Sequence, residues 1–189
     1  MSGQATFVMD AVVVGVGATA VMDLWAVVQR RLFGIPSLDF AMVGRWLGHL
    51  PRGRFRHDGI GRSAAVGGER ALGWTAHYVI GVVFATLLLV VVGSDWVQAP
   101  TLWPALAFGI FSVAAPFFIL QPGMGAGLAA SKTPAPGKAR LRSLVAHSVF
   151  GVGMYLSALL WPRFVQHERE SAGSPATGRP RHGSTQSLH

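Results

Sequence analysis

Four long apolar runs decide what this chain can fold into: Phe7–Val28, Ala71–Val92, Leu102–Leu120 and Leu144–Trp161. Each is close to the ~20 residues that cross about 30 Å of hydrocarbon at about 1.5 Å per residue. Composition agrees, since 51% of residues are hydrophobic and 13% are charged. A soluble domain carries roughly 25% charge, so this chain lacks the means to coat a water-facing surface. Within the first run, Ala18-Thr19-Ala20 resembles a signal cleavage site. No Lys or Arg precedes it and Asp10 does, so it reads as a retained helix. The expectation is all-α: residues 1–166 as a four-helix transmembrane domain. Residues 167–189, rich in Ser, Gly, Pro and Arg, are expected to be a disordered tail.

The net charge of +8 could point to nucleic acid, but the basic residues lie between the apolar runs, as topology signals do. Residues 30–70 carry eight arginines, and residues 121–142 carry Lys132, Lys138, Arg140 and Arg142. Residues 1–6 and 93–100 carry none, and the tail carries four. Twelve against four puts both long loops in the cytoplasm and both termini outside. Trp25 and Trp74 fall at inner ends, and Trp96, Trp103 and Trp161 at outer ends, as interfacial belts do. Without cysteine the chain has no disulfide, thiolate metal site or cysteine nucleophile.

Between the first two spans, Pro36-Ser37 followed by LDFAMVGRWLGHL reads as a capped helix. Leu38, Met42, Val43, Trp46, Leu47 and Leu50 share one broad face, with Asp39, Arg45 and His49 elsewhere. That pattern suits a helix lying in the cytoplasmic interface. Arg45, Arg52, Arg54 and Arg56 are expected to face lipid, with anionic headgroups as partners. Plain positive-inside anchoring is the competing reading.

The second and fourth spans repeat a motif, AHYVIGV (76–82) and AHSVFGV (146–152). Gly67 and Gly137, Arg70 and Arg140, and Leu89 and Leu159 match at the same offset of 70. Both spans run outward and their partners run inward. This makes two hairpins of one orientation, a parallel repeat about an axis along the membrane normal.

His77, His147 and Asp23 lie at similar depths from the cytoplasmic side. Pro116 interrupts the third span near that level, freeing a carbonyl around Ser112, and Gln121-Pro122 ends that helix. Arg70, His77 and Gly81 share a face, as do Arg140, His147 and Gly151. Asp23, His77, His147, Gln121, Arg70 and Arg140 are therefore the candidate ligand-binding or proton-handling set. Structural packing competes, since buried histidines hydrogen-bond across helices and glycines let helices approach. Asp23 argues against it, because an aspartate within a span costs about 2.5–3.5 kcal/mol on insertion scales. An ion pair to Arg30, Arg70 or Arg140 is its bland explanation.

Three functions stay open. The layer handles a small solute, an ion or a proton; or His77 and His147 ligate a b-type haem; or the chain is a structural or lipid-binding component. So few spans point to a homodimer in the first case. The stretch GMGAG (123–127) with Ser131-Lys132-Thr133 lacks the spacing of a phosphate loop, and no His/carboxylate spacing matches zinc. No enzyme signature emerges.

Five stretches together resemble a known family: MDLWAVVQRRLFGIPSLDFAMVGRWLGHLPRGRFRHDGI, ERALGWTAHYVIGVVFA, PTLWPAL, QPGMGAGLAASKTP and RLRSLVAHSVFG. The family is an uncharacterised bacterial inner-membrane group known as domain of unknown function 2938. The resemblance covers roughly residues 9–162. It implies a four-span membrane protein without established activity, and it transfers no catalytic residue.

Overall fold

The computed structural model describes the backbone of residues 3–173 and the side chains of residues 3–161. Its described residues form six α-helices and no strand: α1 Gly3–Phe33, α2 Phe40–His49, α3 Glu69–Val92, α4 Leu102–Ser112, α5 Gln121–Met124 and α6 Pro136–Gly173. Four helical segments are long and apolar enough to cross a membrane: Gly3–Phe33, Glu69–Val92, Leu102–Met124 and Pro136–Trp161. All are longer than the apolar runs, because polar turns extend the helices at the end that carries the long basic connections (the basic end below). Helical backbone also continues to Gly173, past the expected tail boundary at 167. The rest of that tail, 174–189, lies outside the described residues.

α1 and α6 pair at the centre; α3 flanks α1 and α4 flanks α6, while α3 and α4 barely touch. Small residues allow each crossing. A Cβ on Gly15 would lie 2.5 Å from Val82 Cα, and one on Gly109 would lie 2.5 Å from Gly151 Cα. Backbones in such contact replace the hydrophobic drive that lipid does not supply between helices. Toward the end opposite the basic one, Val14, Ala18, Ala85, Leu88, Leu89, Phe150, Met154 and Ala158 close into an apolar core. Outward, Val90, Val91, Trp103, Phe111, Phe118 and Ile119 are exposed.

Trp96 departs from its expected place in an interfacial belt. The Ser94–Val97 turn folds back, and Trp96 and Val97 join the core. Asp10 is likewise buried (5% exposed) and accepts from Trp161 Nε1 at 2.8 Å, tying the start of α1 to α6.

The third span does not end at Gln121-Pro122. Pro116 has no N–H to give, and the chain responds with a π-helical turn over Pro116–Leu120. Gln121 N–H reaches Pro116 O, five residues back, and the helix resumes as α5 to Met124.

α2 begins at Asp39, not Ser37: Asp39 Oδ1 accepts from Ala41 N–H at 2.9 Å. The helix lies across the start of α3 with Gly44 against Glu69 O and Gly73 against Phe40 O, leaving no room for a Cβ on either side. His49, expected on the polar face, is 2% exposed, with Nε2 donating to Ala64 O at 3.0 Å.

Candidate functional site

Asp23 on α1 and His77 on α3 meet between the two helices, Oδ1 to Nε2 at 3.0 Å. Tyr78 donates its hydroxyl to the other carboxylate oxygen at 2.9 Å. Residues 77 and 78 point about 100° apart on a helix, yet both reach Asp23 because a carboxylate offers two separate acceptors. Phe40, at the start of α2, covers the pair from the basic end, its ring centroid 4.3 Å from that of His77. Trp74 packs on Phe40 at 4.4 Å. The cluster is not fully enclosed, with the Asp23 side chain 22% and the His77 side chain 14% exposed.

His147 has a different partner. Its Nδ1 lies 2.7 Å from Ser112 Oγ, and the Ser112 hydroxyl donates to Gly109 O at 2.6 Å. With its one proton committed to Gly109, Ser112 must accept from His147, which assigns the hydrogen of a neutral ring to Nδ1. Each histidine therefore bonds to the preceding span: His77 to α1 and His147 to α4. One turn beyond each, Gly81 meets α1 at Gly15 and Gly151 meets α4 at Ala105 and Gly109.

The remaining candidate residues do not converge there. Arg70 and Arg140 are exposed, and Arg140 Nε donates to Ala129 O at 2.8 Å. Asp23 is thus held by His77 and Tyr78 instead of Arg30, Arg70 or Arg140. Gln121 Nε2 reaches Ser143 Oγ at 3.4 Å, and its Oε1 is buried without a partner. Among the described residues, no group of three His, Asp or Glu side chains is placed to hold a metal.

Arg45 is a correction. Instead of facing lipid it makes a two-pronged pair with Glu69, Nη2 to Oε1 at 2.7 Å and Nε to Oε2 at 2.8 Å. That bond raises its pKa further above the ordinary arginine value. Its Nη1 also donates to Gly61 O at 3.3 Å and Ser63 O at 3.2 Å. Arg52, Arg54 and Arg56 are exposed.

Sequence reasoning missed Tyr78, Phe40 and the role of the Ser112 hydroxyl. Tyr78 stood inside the repeated motif, where serine replaces it in the second copy. That difference was its one available signal.

The family model described as "Protein of unknown function (DUF2938)" matches residues 12–161. The chain belongs to this family. No curated protein and no solved structure matches it. The DUF2938 match covers α1 from its tenth residue, the whole Asp23–His77–Tyr78 cluster, the π-helical turn and the described side chains of α6. The stretches that carried the resemblance are therefore spatial neighbours. Trp46 packs on Gly123, and His57 N–H donates to Gly123 O at 3.0 Å.

Proposed function

We propose that this DUF2938 protein is a four-span protein of a bacterial inner membrane whose Asp23–His77–Tyr78 cluster handles a proton at the cytoplasmic side. The observation that carries the reading is the 3.0 Å carboxylate–imidazole contact between two membrane-length helices, with both side chains partly exposed. A carboxylate in a span is expensive on insertion, and such residues mark ion and proton sites. Histidine beside it supplies the group that changes charge nearest neutral pH. A proton suits the site better than a solute, because Phe40 and Trp74 pack against it and the core beyond is apolar.

The orientation follows the charge bias, with both termini outside and α2 at the cytoplasmic interface. The duplicated-hairpin reading gains support from the equivalent places of Gly81 and Gly151, and of His77 and His147. The haem reading gains none, since Asp23 holds the Nε2 that His77 would need for iron. Proton movement in vesicles tests the proposal. Reconstituted protein with an entrapped pH dye takes up protons after an acid step, and Asp23→Asn abolishes the response while keeping its melting midpoint. A wild-type signal equal to protein-free vesicles, or one that survives Asp23→Asn, would sink it. Native mass measurement tests the homodimer.

A further inference from the structure

Away from the Asp23 cluster, the connection from α2 to α3 forms a second organised feature. Residues 54–63 curl into an open cup of about 250 Å3 at the basic end. Arg54, Arg56 and Arg62 line it with Asp58 and Ser63. Three guanidinium groups against one carboxylate leave the cup at +2 (3 − 1). Among the described residues none of the three arginines forms a salt bridge, the two that exist being Arg45–Glu69 and His77–Asp23.

The loop is held from within. Arg45 ties down Gly61 and Ser63 through their carbonyls, and His49 ties down Ala64. His57 bonds Ser63 Oγ through Nδ1 at 2.9 Å, and its backbone is anchored to Gly123. Arg62 donates to Asp58 O at 2.6 Å, which spends one Nη2 hydrogen and leaves the rest of its fork. Such a frame keeps three like charges near one another, an arrangement that is unfavourable until an anion enters. Guanidinium forks lining one concavity suit a tetrahedral oxyanion, whose oxygens accept from several such groups at once.

Phe55 lies between Arg54 and Arg56 in sequence and is 63% exposed, while Trp46 Nε1 fixes its carbonyl at 3.0 Å. An exposed aromatic flanked by arginines suits the boundary between headgroups and acyl chains.

We propose that the Arg54–Arg56–Arg62 cup binds a phosphate group, presented by an anionic phospholipid headgroup or by free phosphate. Its occupancy is independent of Asp23. Native mass spectrometry of the full-length protein in detergent provides the test. The probes are dioleoylphosphatidylglycerol, dioleoylphosphatidylcholine and inorganic phosphate. The wild type retains phosphatidylglycerol over phosphatidylcholine, and Arg54→Ala/Arg56→Ala weakens that preference by on the order of tenfold per arginine removed. Both side chains are exposed, so the variant keeps its melting midpoint. Arg54→Lys/Arg56→Lys keeps the charge, loses the forks and falls between. A lipid preference that inorganic phosphate does not displace identifies the headgroup as ligand. A midpoint raised by inorganic phosphate, but not by chloride at equal ionic strength, identifies free phosphate. An unchanged lipid preference in the alanine variant with no phosphate effect overturns the proposal. So does a lysine variant that matches the wild type in both measurements, because simple attraction to charge would then suffice.

Discussion

Replacing the Asp23 cluster piecemeal and then whole separates a functional site from a structural staple. Asp23→Leu alone leaves His77 Nε2–H and the Tyr78 hydroxyl without their acceptor, at 3.0 and 2.9 Å in the native cluster. Each stranded donor costs about 1–3 kcal/mol where water is excluded. Partial exposure of the site puts the sum near the lower end, roughly 2–3 kcal/mol. Against it stands the insertion cost of aspartate, about 2.5–3.5 kcal/mol, which leucine removes. Refolding within a membrane does not recover all of that term, because the unfolded helices remain inserted, so the single variant should lose about 1–2 kcal/mol. Asp23→Leu/His77→Leu/Tyr78→Phe removes donors and acceptor together. Interhelical hydrogen bonds within membranes average about 0.6 kcal/mol and reach about 1.7, so the triple variant should return to within about 1 kcal/mol of wild type. Unfolding by titration with a denaturing detergent, followed by tryptophan fluorescence, measures both. A triple variant less stable than Asp23→Leu would refute the reasoning, and the cluster would then be a lock between α1 and α3.

Three further outcomes follow from the same geometry. Gly81→Leu and Gly151→Leu each drive a side chain into a facing helix, and each should lose at least the 1–3 kcal/mol typical of overpacking, read in the same titration. Ser112→Ala removes the acceptor of His147 Nδ1–H at 2.7 Å. A loss of about 1–3 kcal/mol is expected, and Ser112→Thr should recover part of it. Arg45→Lys keeps the charge but cannot span both Glu69 oxygens and the two loop carbonyls, so residues 61–66 should exchange amide hydrogens faster while the spans do not.

Much of the fold was legible because a bilayer leaves few options. Apolar runs of spanning length pointed to four helices, and membrane-length helices cover all of them. What failed was local. Trp96 read as a belt residue because charge and depth say nothing about a turn folding back, and only the core it enters explains its burial. His49 read as surface because helical periodicity sorts residues relative to one partner. α2 has two, α3 on one side and the 55–66 loop on another, so its polar face is covered as well. Arg45 followed the same course, with Glu69 waiting 24 residues away where no local pattern links them.

The candidate site was legible to the same degree and for a related reason. Depth along a helix can be counted, so Asp23 and His77 could be expected at one level, and they do meet. Pairing across a bundle cannot be counted, and the two histidines do not share Asp23. Each hairpin provides its own acceptor, a carboxylate in the first and a hydroxyl in the second. The two copies therefore differ in the chemistry each histidine faces, a carboxylate shared with a tyrosine hydroxyl in the first and a lone serine hydroxyl in the second. The serine that stands at position 148, where the first copy has Tyr78, fits that division. With no carboxylate at Ser112, the second copy has nothing for a tyrosine hydroxyl to hold.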